Sequence, residues 1–164
     1  MLNLIANTST EKKIYNVLSS FALDKGLRII KVQLQKVKDF KLSVFLDNID
    51  GKLTVDECAD ISKEIKSLLD IEGIVRNPFR LEVSSAGIDR YLSSLEDFKK
   101  YRNYNVRVKS ENKIRRGKLI NNGPDSLTLS NKNGVKDISL SSILDVKLDL
   151  EGMSLENIRE MEFK

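Results

Sequence analysis

The chain has 164 residues, of which 32% are charged and 40% hydrophobic, and its formal net charge is +4. This balance is typical of a globular protein and excludes a disordered or membrane-spanning chain. The absence of histidine and the single cysteine, Cys58, exclude an intrachain disulfide, a cysteine zinc site and most acid–base catalysis. We therefore expect no enzyme, no cofactor and no metal. Residues 1–7 contain no basic residue, so we expect no signal peptide and a cytoplasmic protein.

Two amphipathic helices are predicted in the first half of the chain. Thr8 and Glu11 have the spacing of a capping box, and so do Thr54 and Glu57. Apolar residues then recur at helical spacing after each box. These are Ile14, Val17, Leu18, Phe21 and Ala22 in the first helix, and Cys58, Ile61, Ile65, Leu68 and Leu69 in the second. Cys58 is thus interpreted as a small core residue.

Strand-like alternation separates and follows these helices. Ile30, Val32 and Leu34 alternate with polar residues, and Leu42, Val44 and Leu46 form a second run. With a third strand near Leu81, residues 1–92 predict a two-helix, three-strand α+β domain, with both helices on one face of an antiparallel or mixed sheet. Asn48, Asp50, Gly51 and Glu57 partly match a calcium loop, but Leu46 occupies its first position, so no calcium site is predicted.

The segment from Arg80 to Leu92 indicates a strand that runs into a fixed bend. Leu81 and Val83 alternate with polar residues, which favours a half-buried strand. Small residues and a glycine then permit a sharp turn. We interpret the segment as an elbow between two domains, and its candidate residues are Ser84, Ser85, Gly87, Asp89 and Arg90.

Short strands separated by turns are predicted in residues 93–164. A capping pattern at Ser94 predicts a short helix first. Five strand-like runs follow, and Asn133-Gly134 is typical of a hairpin turn. The whole chain is therefore predicted to be α+β, with a small SH3-like or Sm-like β-barrel as its second domain. An acidic tail with a short helical pattern ends the chain.

The sequence Leu-Glu-Val-Ser-Ser-Ala-Gly-Ile-Asp-Arg-Tyr-Leu, residues 81–92, resembles a known family signature. It is similar to the Leu-Glu-Val-Ser-Ser-Pro-Gly-Leu/Ile-Asp-Arg-Pro-Leu segment of the bacterial ribosome maturation factor RimP family. Ala86 and Tyr91 stand where that family usually has proline. The resemblance implies a non-enzymatic, monomeric factor for assembly of the small (30S) ribosomal subunit, which contacts ribosomal RNA and a small-subunit ribosomal protein.

One block of basic residues is the candidate RNA-binding or ribosome-binding site. Between residues 99 and 118 the chain has nine basic residues against one acidic residue, a net charge of +8. A one-signed block of this kind favours phosphate contact, although a solvated strand face would also explain it. The nine are Lys99, Lys100, Arg102, Arg107, Lys109, Lys113, Arg115, Arg116 and Lys118.

A free-standing Sm-like RNA-binding regulator is the alternative function. Such a protein forms rings and binds single strands through stacked aromatic residues. Tyr101 and Tyr104 are the aromatic residues that we considered for this role. They form no evident stacking platform, and the first domain has no place in that alternative.

Overall fold

The computed structural model describes residues 2–87, 90–151 and 153–162. Two compact units make up the chain: a first unit, Leu4–Ala86, and a second unit that begins at Gly87. The predicted domain limits, 1–92 and 93–164, stay a prediction. The backbone of Arg90 and Leu92 already pairs with residues of the second unit, because Leu148 N donates to Arg90 O and Leu92 N donates to Val146 O.

The first unit contains three helices and three strands. They are α1 (Leu2–Ile5), α2 (Ser9–Asp24), β1 (Leu27–Lys36), β2 (Phe40–Asn48), α3 (Val55–Glu72) and β3 (Phe79–Ser85). The sheet order is β1-β2-β3, with β1 antiparallel and β3 parallel to β2. The sheet is therefore mixed, which is one of the two forms predicted.

Both predicted capping boxes are present and fix the starts of α2 and α3. Thr8 N donates to Glu11 Oε2 (2.8 Å), and Glu11 N donates to Thr8 Oγ1 (3.2 Å). Thr54 and Glu57 make the same pair of bonds at α3. Glu11 is buried, and its second oxygen accepts from Leu34 N (2.8 Å). The first capping box therefore also ties α2 to β1.

One hydrophobic core joins both long helices to the sheet. It includes Ile14, Leu18 and Ala22 of α2, Ile61, Ile65 and Leu69 of α3, and Ile29, Val32, Leu42, Val44 and Leu46 of the strands. A single cluster requires both helices to pack on the same face of the sheet, as predicted. The predicted place of Cys58 in the buried stripe of α3 is confirmed.

Lys31 departs from the simple alternation expected in β1. The pairing register shifts between Ile29 and Lys31, and the Lys31 side chain is fully buried. Its ammonium group donates to Leu4 O and to Asn7 Oδ1, both at 3.0 Å. The amino-terminal segment therefore covers the face of β1 that alternation alone would leave to solvent.

The second unit is a helix followed by a five-stranded sheet and a terminal helix. Its elements are α4 (Leu95–Lys100), β4 (Asn105–Ser110), β5 (Ile114–Asn122), β6 (Ser126–Asn131), β7 (Gly134–Ser139), a short 3-10 turn (Leu140–Ser142), β8 (Ile143–Leu148) and α5 (Leu155–Glu162). The sheet order is β7-β6-β5-β4-β8, and every pair is antiparallel. Among the described strands β7 does not pair with β8. The five strands are thus confirmed, but a closed SH3-like barrel is not.

A close backbone approach at Gly117 predicts a local stability effect. A Cβ atom at this position of β5 would lie 2.8 Å from Ser130 O of the neighbouring strand. Gly117→Ala should therefore lower the unfolding free energy by about 1–3 kcal/mol, measured by thermal or denaturant unfolding. Gly51→Ala is the matched control, since an added Cβ there meets nothing within 4 Å. Equal stability of the two variants would contradict the close approach.

Candidate nucleic-acid interface

The register of β4 decides which basic side chains share a face. Val106 and Val108 are fully buried, so Arg107 and Lys109, of opposite parity, lie on the other face of the sheet. Arg107 is directly opposite Arg116 of β5 and Lys147 of β8. Residues directly opposite each other in a ladder project to the same side. The same rule places Lys118, opposite Asn105, on this side.

These five side chains form what we call the outer basic face. Its members are Arg107, Lys109, Arg116, Lys118 and Lys147. Four belong to the block predicted from the sequence. Lys147 was missed, because it lies in the acidic part of the chain and only the pairing of β8 with β4 brings it beside Arg107.

Carboxylates already engage the two arginines of the outer basic face. Arg107 Nη2 lies 3.7 Å from the buried Asp145 Oδ1. Arg116 Nε lies 3.6 Å from Asp149 Oδ2, and its Nη1 donates to Glu151 Oε2. The hydrogen bond that Arg116 donates to Glu151, and then the charge of Asp149, raise the pKa of Arg116. Part of the acidic tail therefore competes for this arginine with any phosphate.

The lysines of this face have fewer partners. Within the described ranges no carboxylate lies in ion-pair distance of Lys109 or Lys118. Lys147 Nζ lies 5.1 Å from the centre of the Tyr91 ring. Lys109 is directly opposite Asp145 of β8, but neither Lys109 nor Lys118 makes an ion pair within the described ranges.

The rest of the predicted block is dispersed. Lys99 and Lys100 are exposed in the last turn of α4, and Lys113 is exposed in the turn between β4 and β5. Arg102 donates to Ile120 O and to Asn121 Oδ1, so it fastens the chain after α4 to β5. Arg115 is opposite Val108 and therefore lies on the other face of the sheet. It lines a separate depression of about 480 Å³ with Asn131, Asn133 and Lys136.

The two tyrosines considered for base stacking pack against each other. Their rings are 5.7 Å apart at an angle of 82°, an edge-to-face arrangement. Tyr101 is also buried. This packing occupies the ring of Tyr101, so it gives no support to an aromatic platform for single-stranded RNA.

The candidate elbow residues divide between the two units. Ser84 and Ser85 end β3, and Gly87 has φ +54°, a value that favours glycine. Arg90 lies in the second unit, where its Nη2 donates to Asp97 Oδ1 (3.1 Å); these side chains are 8% and 3% exposed. Asp97 also accepts from the Ser93 and Ser94 amides, so Arg90 is bonded to the start of α4. Asp89 lies outside the described residues, and the elbow role stays a prediction.

Metal and membrane features are limited in the described ranges. No group of three acidic, cysteine or histidine residues there could hold a metal ion. No described helix is both long and apolar enough to cross a bilayer.

Residues 17–89 match the family model described as the RimP N-terminal domain. The match begins within α2 and ends beyond β3, so it covers most of the first unit. This match supports the RimP family over that part of the chain, in agreement with the resemblance in residues 81–92.

Neutralising the acids beside Arg116 should expose its charge. Asp149→Asn with Glu151→Gln removes both carboxylates that contact this guanidinium. RNA affinity should rise, and the salt dependence should become steeper by about one released counterion. Titration with small-subunit ribosomal RNA at several salt concentrations measures both quantities. Glu156→Gln, in the exposed part of α5, is the control. A double variant no tighter than this control would show that the tail does not compete for Arg116.

Proposed function

We propose that the protein binds the maturing small ribosomal subunit, contacts ribosomal RNA through the outer basic face, and contacts a small-subunit ribosomal protein elsewhere. The observation that carries the RNA contact is the register of β4, β5 and β8, which gathers five basic residues on one face. The match to the RimP N-terminal domain supplies the particle on which this face acts.

Binding alone accounts for the activity. Cationic side chains on a sheet face displace counterions from phosphates, which gives affinity that falls as salt rises. A bound factor then favours those RNA and protein arrangements that fit its surface. The protein leaves when maturation removes that fit. No bond is made or broken, and the absence of histidine from the sequence supports this non-enzymatic role.

The strand order supports an SH3-like or Sm-like assignment for the second unit. The last strand of the unit, β8, pairs with its first strand, β4, which places β4 inside the sheet and leaves β7 and β8 at its edges. In this proposal the unit serves as a monomeric cytoplasmic RNA-binding module. A ring of Sm-like regulators is the alternative, and it requires a homo-oligomer.

Removing the two lysines of the outer basic face that make no described ion pair tests the RNA contact. Lys109→Ala with Lys118→Ala should reduce affinity for small-subunit precursors, and the slope of log affinity against log salt should fall by about 1.4–1.8. Lys132→Ala with Lys136→Ala is the matched control. It removes the same charge from the same unit, but from the β6–β7 turn and the opposite face of the sheet.

Co-sedimentation with small subunits provides the readout. We expect the parent and the control pair to migrate with small subunits as a monomer, and the Lys109/Lys118 variant to dissociate at lower salt. Equal salt slopes for both variants would remove the outer basic face from the interface. Migration as a ring with small RNAs would instead favour the Sm-like regulator.

A further inference from the structure

The outer edge of β3 has no strand partner among the described residues. β3 pairs with β2 in parallel and ends the sheet. Ala86 N donates across to Leu46 O at 2.8 Å, so the backbone groups of Ala86 face β2. Alternation then turns the backbone of Leu81, Val83 and Ser85 toward the free edge.

A groove of about 510 Å³ runs beside this edge. The first two turns of α3 form one wall, with exposed Val55 and Ala59 beside the buried Cys58 and the half-buried Ser62. The other wall is residues 81–85, which are the strand part of the family signature. Val55 is 85% exposed, so an uncovered apolar residue borders the groove. The Lys66 ammonium lies 4.7 Å from the centre of the Phe79 ring, two residues before the wall formed by residues 81–85 begins.

Acidic residues flank the groove, and Glu82 is the one that lines it. Residues 53–62 and 81–85 contain Asp56, Glu57, Asp60 and Glu82 and no basic residue. Hydrogen bonds from Thr54 lower the pKa of Glu57, and the Lys41 ammonium lowers that of Glu82. Both groups therefore stay ionised at neutral pH. Asp60 and Glu82 have lysine partners outside these segments, at 3.3 and 2.7 Å. Glu82 also lies 3.8 Å from Arg80. The acids that can attract a cationic partner are therefore Asp56 and Glu57, which are exposed beside Val55.

We propose that this groove binds an extended, basic segment of a partner protein, which adds as a strand to the free edge of β3. Backbone hydrogen bonds to Leu81 and Val83 provide affinity, and alternate apolar side chains of the segment pack on Val55 and Ala59. The inference deepens the protein-binding part of the proposed function and rests on it. It assigns a protein contact to residues 81–85, the strand part of the family signature.

A peptide array with matched variants tests the groove. The probe is a set of overlapping peptides of about 15 residues that covers all small-subunit ribosomal proteins, incubated with the labelled full-length protein. Ala59→Arg places a long side chain at an exposed position in the groove. Ser67→Arg adds the same charge at an exposed position of the same helix that does not line the groove. Thermal unfolding confirms that both variants are folded.

The expected result is retention of basic peptides with alternating apolar residues. Ala59→Arg should weaken that binding by roughly tenfold or more, while Ser67→Arg should leave it unchanged. The bound peptide should also slow amide hydrogen exchange at Leu81 and Val83 and slow alkylation of Cys58. Methylation of alternate peptide amides should abolish binding, because those amides would bond to the edge.

Three results would overturn the inference. The first is an array with no retained peptide, and the second is retention that Ala59→Arg does not reduce. The third is a dimer that dissociates in the Ala59→Arg variant, which would assign the groove to a second copy of the chain. If co-sedimentation with small subunits still depends on Lys109 and Lys118 in that case, the proposed RNA contact is still supported. Loss of co-sedimentation by the parent protein would instead contradict the proposed function.

Discussion

The alternation of side chains along β4 is the constraint on which the functional account depends. Val106 and Val108 must be buried for the second unit to have a core, and this burial commits Arg107 and Lys109 to the other face. Antiparallel pairing then adds cations from β5 and β8 to the same face. A shift of one residue in this register would bury charge and expose valine, so the requirements of folding keep the basic face in place.

The two units carry different surface chemistry. The second unit presents lysine and arginine on the outer face of a sheet, which suits phosphate. The first unit presents a free strand edge beside a groove that acidic residues flank, which suits a basic polypeptide. A particle made of RNA and basic proteins offers both kinds of partner. In the proposed function, this division of surface chemistry gives each of the two units its own kind of partner.

The starts of the helices could be predicted from the sequence, whereas contacts between distant strands and segments could not. Thr8 with Glu11 and Thr54 with Glu57 specify helix starts through bonds within four residues, so both helices were predicted correctly. The burial of Lys31 depends on a register shift and on a distant segment, and the role of Lys147 depends on the partner of β8. Closure of a barrel likewise depends on edges that no local pattern specifies.

Lysine footprinting on the subunit-bound protein tests the central claim most directly. Acetylation rates of Lys109, Lys118 and Lys147 are compared between the free and bound protein, with Lys132 and Lys136 as internal references. The account predicts strong protection of the first three and unchanged rates for the references, since the references lie in the β6–β7 turn and on the opposite face. Protection of Lys132 and Lys136 with Lys109 and Lys118 still reactive would contradict it, because the opposite side of the sheet would then face the RNA.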